Sequence, residues 1–248
     1  QHHLSRKEVA LKIISPQPGL EKEDEERFKR EVSVAAQVGH DGIVEIYDAG
    51  MHRDGSLFVA MELLEGAHLR DWCARPDVTR KMALAAIDEL LEALAAAHAK
   101  GFVHRDLKHE NVFIQRTRSG KARVKLLDFG IARHVANQGM TQTGAALGTP
   151  HYMAPEQAVS ARDVSPAADV WAVGVMLYEI VSKRLPFEGE TVHAVILKAC
   201  TEAPPALRSF VEAGSIDDVD PKLEALIERC LKRDPKARPK DATELRID

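Results

Sequence analysis

Cysteine is scarce in this sequence, which contains only Cys73, Cys200 and Cys230. The three are widely spaced, odd in number and form no CxxC pair, so the sequence indicates neither a zinc site nor a disulfide framework. Chains without disulfides are typical of reducing compartments. We therefore expect a cytoplasmic location.

Long hydrophobic runs and a strong excess of one charge are also absent. No apolar run reaches the roughly 18 residues needed to cross a bilayer, and the alanine- and leucine-rich stretch 83–99 is interrupted by Asp88, Glu89 and Glu92. The net charge is -4 without any basic block, which argues against a general nucleic-acid binder. We expect no membrane contact from this segment and no nucleic-acid partner.

The composition that remains is that of a soluble globular chain, with 45% hydrophobic and 29% charged residues among 248. A chain of this length can bury a large core as one domain or as two closely packed lobes. Residues 9–14 alternate with a period of two, which predicts a strand with Lys12 on the same face as Ala10. Two further strands are predicted at 43–47 and 57–62.

Helical periodicity appears once between these strands and dominates after them. An apolar stripe at Phe28, Val32 and Ala35 predicts one helix in the N-terminal part. Residues 80–99 predict a long amphipathic helix, and the nearly all-apolar stretch 169–181 predicts a helix buried in the core.

A linker near 63–66 is predicted to separate the strand-rich part from the rest. Short strands are expected around 112–114 and 123–127. A final helix is predicted to begin with Asp220 as its cap and Pro221 as its first residue. The sequence therefore predicts an α+β fold, with a small sheet and one helix followed by a larger helical part.

The segment 104–111 has the most specific arrangement of polar side chains in the chain. It runs His-Arg-Asp-Leu-Lys-His-Glu-Asn, which places Asp106, Lys108 and Asn111 close together, and Asp128 follows seventeen residues after Asn111. Taken singly, an Asp or Asn in a loop is usually a turn former. Taken together, two carboxylates, a lysine and an asparagine at this spacing are what metal-assisted phosphoryl transfer requires.

A second motif, Gly-Thr-Pro-His-Tyr-Met-Ala-Pro-Glu at 148–156, is equally specific. With these two motifs the chain resembles the catalytic domain of a protein kinase, and most of all the eukaryotic-like Ser/Thr kinases of bacteria. Lys108 and Thr149 follow the pattern of Ser/Thr rather than Tyr kinases. The function that the resemblance implies is transfer of the γ-phosphoryl group of ATP to Ser or Thr hydroxyls of protein substrates.

The fold implied by the resemblance has two lobes. Residues 1–64 would form a small lobe with an antiparallel sheet and one helix, and residues 65–248 a mainly helical lobe. In kinases the acidic end of the second motif pairs with a late arginine, and Arg238 occupies that position relative to Glu156. The alternative for Arg238 is a surface residue. We also expect Asp169 to accept hydrogen bonds from the backbone of the first motif.

The resemblance also implies roles for the side chains of the first motif. Asp106 would accept the proton of the attacking hydroxyl, and Lys108 would stabilise charge on the phosphate. Asn111 and Asp128 would hold Mg²⁺ against the phosphates of ATP, since this ion prefers hard oxygen ligands.

Lys12 resembles the strand lysine that holds the α- and β-phosphates in kinases, although a lone strand lysine is normally solvated. Glu31 lies beside the apolar stripe of its helix and would pair with Lys12, because a carboxylate near an apolar interface is costly unless paired. The alternative is an exposed Glu31 paired with Arg27 or Lys29. Only eleven residues precede Lys12 and none is glycine, so we expect the sequence to begin just after the Gly-rich loop of the family, without the first strands.

The adenine of ATP would lie against residues from both lobes. Backbone groups of Glu62 and Leu64 would bind its edge, and Met61 would lie at the back of the pocket. Ala10 and Phe113 would enclose the base from above and below; Phe113 is bulkier than the leucine or methionine usual in the family.

Control by phosphorylation is implied by Arg105, the neighbour of Asp106. A phosphate on Thr141 or Thr143 would pair with Arg105 and order the loop that carries it, and Thr149 is a further regulatory candidate. The alternative is that this loop is merely polar.

Two other functions compete with the kinase. A nucleotide-binding pseudokinase scaffold is one: the missing Gly-rich loop favours it, whereas the presence of Lys12, Asp106, Asn111 and Asp128 counts against it. A small-molecule phosphotransferase is the other, but such enzymes lack the second motif. The resemblance also raises the expectations of a homodimer for autophosphorylation and of a longer, membrane-anchored protein with this segment on the cytoplasmic side.

Overall fold

A computed structural model describes residues 8–14, 26, 28, 32, 37–117, 122–128, 150–159 and 164–247. In these residues a three-stranded antiparallel sheet is formed by β1 (Val9–Ile14), β2 (Ile46–Met51) and β3 (Leu57–Glu62), with β3 in the centre. Leu11 and Ile13 of β1 are exposed while Lys12 between them is half-buried. The predicted face of Lys12 is therefore confirmed.

The small sheet has a core of its own. Phe28 and Val32 have helical backbone and pack with Leu57 and Val59, all four being buried. Apolar side chains at positions i and i+4 lie on one face of a helix, so Phe28 and Val32 point together at the sheet. The third member of the predicted stripe, Ala35, lies outside the described residues.

The strand predicted at 43–47 is wrong at its start. Ile43 and Val44 are buried, and instead of joining β3 they run beside Leu126: Ile43 forms an isolated bridge with it, and the amide of Val44 donates to its carbonyl at 3.0 Å. Because the backbone of Ile43 and Val44 pairs with Leu126, β2 begins only at Ile46.

A second antiparallel sheet consists of β4 (Gly66–His68), β5 (Val112–Arg116) and β6 (Ala122–Leu126), with β5 in the centre. The predicted linker at 63–66 therefore ends in a strand. Gly66 is required there, because its φ is +155° and a Cβ would lie 2.0 Å from the carbonyl oxygen of Ile114.

Helices make up most of the remaining described chain. They are α1 (Leu69–Cys73), α2 (Arg80–Ala99), α3 (Pro155–Val159), α4 (Ala167–Ser182), α5 (Val192–Thr201), α6 (Leu207–Glu212), α7 (Pro221–Cys230) and α8 (Ala242–Ile247). Short 3-10 turns occur at His109–Asn111, Pro150–Tyr152 and Pro235–Ala237. No helix of the described ranges is both long enough and apolar enough to span a membrane.

The core of the helical part is built around α4. All of its side chains except that of Glu179 are buried, which confirms the predicted core helix. Gly174 allows α7 to approach closely, since a Cβ at this position would lie 2.5 Å from the Cβ of Cys230. The predicted start of α7 is also confirmed, with Asp220 accepting a hydrogen bond from the amide of Lys222 at 2.8 Å.

The prediction that α7 is the last helix is wrong. The helix α8 follows it and buries Ala242 and Leu245. Its six residues are too few for a clear helical period, which is why the sequence pattern did not indicate it.

Candidate active site

Lys12 and Asp128 meet across 116 positions of the chain. The Nζ of Lys12 lies 2.7 Å from Oδ2 of Asp128, and both side chains are about one-third exposed, at 35% and 30%. Asp128 has a φ of +49°, a left-handed conformation that aspartate tolerates better than most residues. The pair places a cation and a carboxylate side by side at the edge of β1.

Asp106, Lys108 and Asn111 of the first motif lie together. The Nδ2 of Asn111 donates to the backbone oxygen of Asp106 at 2.6 Å and approaches its carboxylate at 3.4 Å. The Nζ of Lys108 lies 3.3 Å from the same carboxylate. Asp106 is thus held between an amide and an ammonium group.

The loop that carries these side chains is fixed by the buried carboxylate of Asp169. This carboxylate, 1% exposed, accepts the backbone amides of His104 at 2.7 Å and Arg105 at 2.9 Å and lies 2.9 Å from Nε2 of His98. The predicted acceptor role of Asp169 is confirmed. A buried carboxylate is costly unless it is paired in this way.

Arg105 bends the loop sharply. Its φ is +66°, which for a non-glycine residue costs about 1–3 kcal/mol unless the surroundings hold it. Its amide is bound to Asp169 and its carbonyl accepts a hydrogen bond from Nε2 of Gln157 at 2.8 Å. The surrounding hydrogen bonds therefore fix this strained turn immediately before Asp106.

Two hydrogen bonds connect the first motif to Asp128. The ring nitrogen Nε2 of His104 lies 2.8 Å from the carbonyl of Leu127, and the amide of Leu127 donates to the carbonyl of Asn111 at 2.8 Å. Because Leu127 precedes Asp128, these contacts set the position of Asp128 relative to Asn111.

The acidic end of the second motif pairs with Arg238 as predicted. The guanidinium binds the carboxylate of Glu156 through two hydrogen bonds of 2.7 and 2.8 Å, and the Arg238 side chain is fully buried. It also lies 4.9 Å from the ring centroid of Trp171. Such a bidentate, desolvated pair fixes the geometry of the segment that carries it.

The residues expected around adenine come from β1, β3 and β5. Ala10 lies opposite Met61 in the β1–β3 register, and Leu64 follows β3 as a half-buried residue. Phe113 of β5 presents an edge-on contact to His68, with ring centroids 5.2 Å apart.

Glu62 has a partner that the sequence did not reveal. Its Oε1 lies 2.5 Å from Nζ of Lys125 and accepts the amide of Glu45 at 2.9 Å, and both charged side chains are mostly buried. This ion pair connects the end of β3 to β6. The period-two alternation of β6 does not identify the partner of Lys125, which is why it was missed.

A polar cluster beneath the second motif was also missed. Arg70, His109, Tyr152 and Glu179 form it through contacts of 2.6 to 3.3 Å. Burial alone would raise the pKa of Glu179, but the neighbouring His109, the hydrogen bond from Tyr152 and the charge of Arg70 lower that pKa to about 2. Burial and the neighbouring carboxylate raise the pKa of Tyr152. Tyr152 is therefore a neutral hydroxyl beside an ionised carboxylate.

Four of the expected site residues, Glu31, Thr141, Thr143 and Thr149, lie outside the described residues. The structure brings Lys12 to Asp128 and Lys108 and Asn111 to Asp106.

Comparison with known proteins matches residues 1–246 to the model of the protein kinase domain family. The serine/threonine-protein kinase pkn2 of Myxococcus xanthus is 38% identical over 99% of this chain and 29% of its own length. The serine/threonine-protein kinase PknA of Mycobacterium tuberculosis is 37% identical over 93% of this chain and 52% of its own length. The chain thus spans about a third to a half of these relatives.

Solved structures agree on the fold. A double mutant of the Mycobacterium tuberculosis PknI kinase domain superposes with a TM-score of 0.74 at 26% identity, covering all of this chain and 86% of that one. Rad53 in complex with AMP-PNP gives a TM-score of 0.72 at 25% identity, covering 96% of this chain and 56% of that one.

Proposed function

We infer, because this chain belongs to the protein kinase domain family, that it is the catalytic domain of a bacterial-type serine/threonine protein kinase. It transfers the γ-phosphoryl group of ATP to Ser or Thr hydroxyls of proteins. Two sets of contacts support this best: Lys12 lies against Asp128, and Lys108 and Asn111 lie against Asp106.

Asp106 is the proton acceptor in this proposal. Its carboxylate has Nζ of Lys108 at 3.3 Å and Nδ2 of Asn111 at 3.4 Å, which orients it without burying it. A carboxylate so placed takes the proton of the attacking hydroxyl, while the ammonium group of Lys108 offsets the negative charge on the transferred phosphoryl group.

The residues present suit a magnesium nucleotide. Because Nδ2 of Asn111 donates to Asp106, its Oδ1 is the atom left for a cation, and Asp128 supplies a carboxylate. Hard oxygen donors of this kind suit Mg²⁺. When bound, the ion neutralises phosphate charge. Lys12 binds the α- and β-phosphates in this proposal, with Glu31 as its partner.

The adenine site of the proposal consists of Ala10, Met61, Glu62, Leu64 and Phe113. The ion pair between Glu62 and Lys125 supports this site. Because it binds the side chain of Glu62 to β6, it fixes the backbone of Glu62 at the end of β3. We place the boundary between the lobes at residues 64 and 65, directly after this segment.

Regulation by phosphorylation is also part of the proposal. Thr141 and Thr143 are the acceptors, Arg105 pairs with the phosphate, and Thr149 contributes to the choice of Ser and Thr substrates. Autophosphorylation proceeds in a homodimer, and the domain acts in the cytoplasm. Peptide mass spectrometry after incubation with ATP tests the two acceptors, and phosphate found elsewhere but on neither threonine would contradict them.

Phosphate transfer is the direct test of the proposed function. The protein is incubated with γ-labelled ATP, Mg²⁺ and a general acceptor protein, with EDTA added to a parallel control, and the labelled amino acids are separated. We expect phosphoserine and phosphothreonine, no phosphotyrosine, and no label in the control. Nucleotide binding without any transfer would contradict the kinase and favour a scaffold.

A further inference from the structure

His109 is a buried polar residue in the middle of the first motif. Its side chain is 2% exposed, it follows Lys108 directly, and it opens the 3-10 turn that ends at Asn111. The roles proposed for Asp106, Lys108 and Asn111 do not involve it. A buried imidazole requires hydrogen-bond partners, because leaving its polar atoms unpaired costs about 1–3 kcal/mol.

The partners of His109 lie on two other elements. Its Nδ1 is 2.8 Å from the hydroxyl of Tyr152 in the 3-10 turn of the second motif, and 3.3 Å from Oε2 of Glu179 in α4. The two rings also meet edge to face, with centroids 5.6 Å apart. His109 therefore touches both the segment that follows the second motif's threonine and the central core helix.

Counting hydrogens fixes the direction of the Nδ1 contact. The hydroxyl of Tyr152 donates its single hydrogen to Oε2 of Glu179 at 2.6 Å and accepts from a guanidinium nitrogen of Arg70 at 2.8 Å. A hydroxyl that has given its hydrogen can only accept further bonds. The Nδ1 of His109 must therefore carry the hydrogen and donate it to Tyr152.

This bond links the proposed catalytic loop to the second motif. Elsewhere the loop is held by Asp169 at its beginning and by the amide of Leu127, which donates to the carbonyl of Asn111, at its end. His109 lies between these two supports. Tyr152 also lines the same small cavity as Asp106 and Lys108, so the tyrosine that His109 binds lies beside those side chains.

We propose that His109 is a positioning residue for phosphoryl transfer: by donating Nδ1–H to Tyr152 it holds Lys108 and Asn111 at a fixed distance from the second motif. This inference rests on the proposed kinase function. His109 itself contacts neither nucleotide nor acceptor; it acts through the backbone of its neighbours. Its loss should slow transfer without weakening the binding of ATP.

A purely space-filling His109 is the competing explanation, and two substitutions separate it from the proposal. His109→Asn keeps a donor near the position of Nδ1 but reduces the volume. His109→Leu keeps most of the volume but has no donor. If the hydrogen bond matters, the Asn variant is more active than the Leu variant. If only packing matters, the Leu variant is more active than the Asn variant.

The experiment measures kcat and the KM for ATP, with a protein as the phosphate acceptor. The proteins compared are the wild-type chain, both His109 variants, Tyr152→Phe and the double variant of His109→Leu with Tyr152→Phe. We expect His109→Leu to lower kcat about tenfold, the effect of one hydrogen bond, with the KM for ATP changed less than about twofold. His109→Asn should retain most of the activity. The double variant should be no slower than the slower single variant, because both changes remove the same bond.

Three results would overturn the inference. They are equal rates for His109→Leu and the wild type, a Leu variant faster than the Asn variant, and strictly additive losses in the double variant. A wild-type chain that transfers no phosphate would instead refute the proposed function, and the inference with it. Should His109→Leu fail to melt cooperatively, His109→Ala takes its place as the variant without a donor: its kcat must lie below that of His109→Asn at constant KM for ATP, and equal rates of the two would overturn the inference.

Discussion

The proposed catalytic loop, residues 104–111, and the Lys12–Asp128 pair are held in different ways. The loop is attached to buried groups, with Asp169 1% exposed and accepting two of its backbone amides. The Lys12–Asp128 pair is about one-third exposed, and exposed pairs of this kind contribute little to stability. The backbone of the loop is therefore fixed by the folded core, whereas the pair lies at the surface.

This difference separates three kinds of mutational effect. A change that leaves the loop's backbone in place should affect the chemistry alone, and a change at its buried supports should affect folding as well. A change at the exposed pair should affect nucleotide binding and leave the free energy of unfolding nearly the same. The predictions below test this division, from the largest effect to the smallest.

Asp106→Asn should have the largest effect, on chemistry alone. It keeps the size of the side chain but removes the proton acceptor, so kcat should fall by about 10²–10⁴-fold. The affinity for ATP, measured by calorimetry, should stay within about twofold, because Asp106 is assigned to the hydroxyl and not to the phosphates. Equal losses in rate and in nucleotide affinity would contradict this role.

Glu179→Gln should change the acid stability of the chain. The pKa of Glu179 is lowered from 4.5 to about 2 in the folded chain, so its ionised form contributes stability above about pH 4.5, and this contribution is lost as the pH falls toward 2. The loss amounts to about 3 kcal/mol. The free energy of unfolding, measured with urea at several pH values between 5 and 2, should therefore fall more steeply with decreasing pH for the wild type than for the variant. The same pH dependence in both proteins would contradict a stabilising role of ionised Glu179.

Asp169→Asn should destabilise the loop from its buried side. The amide nitrogen of the new side chain would face one of the two backbone amides that the carboxylate accepts, and each unsatisfied buried donor costs about 1–3 kcal/mol. Urea unfolding should report a loss of this size together with lower kcat. Asp88→Asn is the matched control, since Asp88 pairs with Arg246 at the surface and should cost no more than about 0.5 kcal/mol. Equal losses in the two variants would contradict the comparison.

Lys12→Met should have the smallest effect on folding. The free energy of unfolding should change by less than about 1 kcal/mol, since solvent still reaches about a third of each side chain in the pair with Asp128. The kcat/KM for ATP should nevertheless fall by tenfold or more, because hydrogen bonds to charged groups contribute about 1.5–3 kcal/mol. A large loss of stability would show that Lys12 belongs to the folded core, contrary to the division drawn above.

The local parts of the fold could be predicted from the sequence. The period of two in β1 placed Lys12 correctly, and the nearly all-apolar stretch 169–181 predicted α4, because such patterns depend only on neighbouring residues. The start of β2 was missed because Ile43 pairs with Leu126 instead. That pairing depends on a segment more than eighty positions away, and no local pattern reports it.

The site could be predicted only through the two family motifs. Periodicity contains nothing that brings Lys12 to Asp128, and the resemblance alone assigned both residues to the phosphates of one nucleotide. Polar contacts for which the motifs imply no role were missed for the same reason. His109 and Tyr152 are 43 positions apart, and Glu62 and Lys125 are 63 apart; each residue alone looks like an ordinary surface side chain, and only the folded chain pairs them.

The central claim is that Lys12, Asp106, Asn111 and Asp128 act on one magnesium nucleotide. Calorimetric titration of ADP into the wild-type chain and into Asp128→Asn, each with and without Mg²⁺, tests it most directly. The account predicts that Mg²⁺ strengthens ADP binding to the wild type and has little effect on the variant. The same Mg²⁺ dependence in both proteins, or no ADP binding by the wild type, would contradict it.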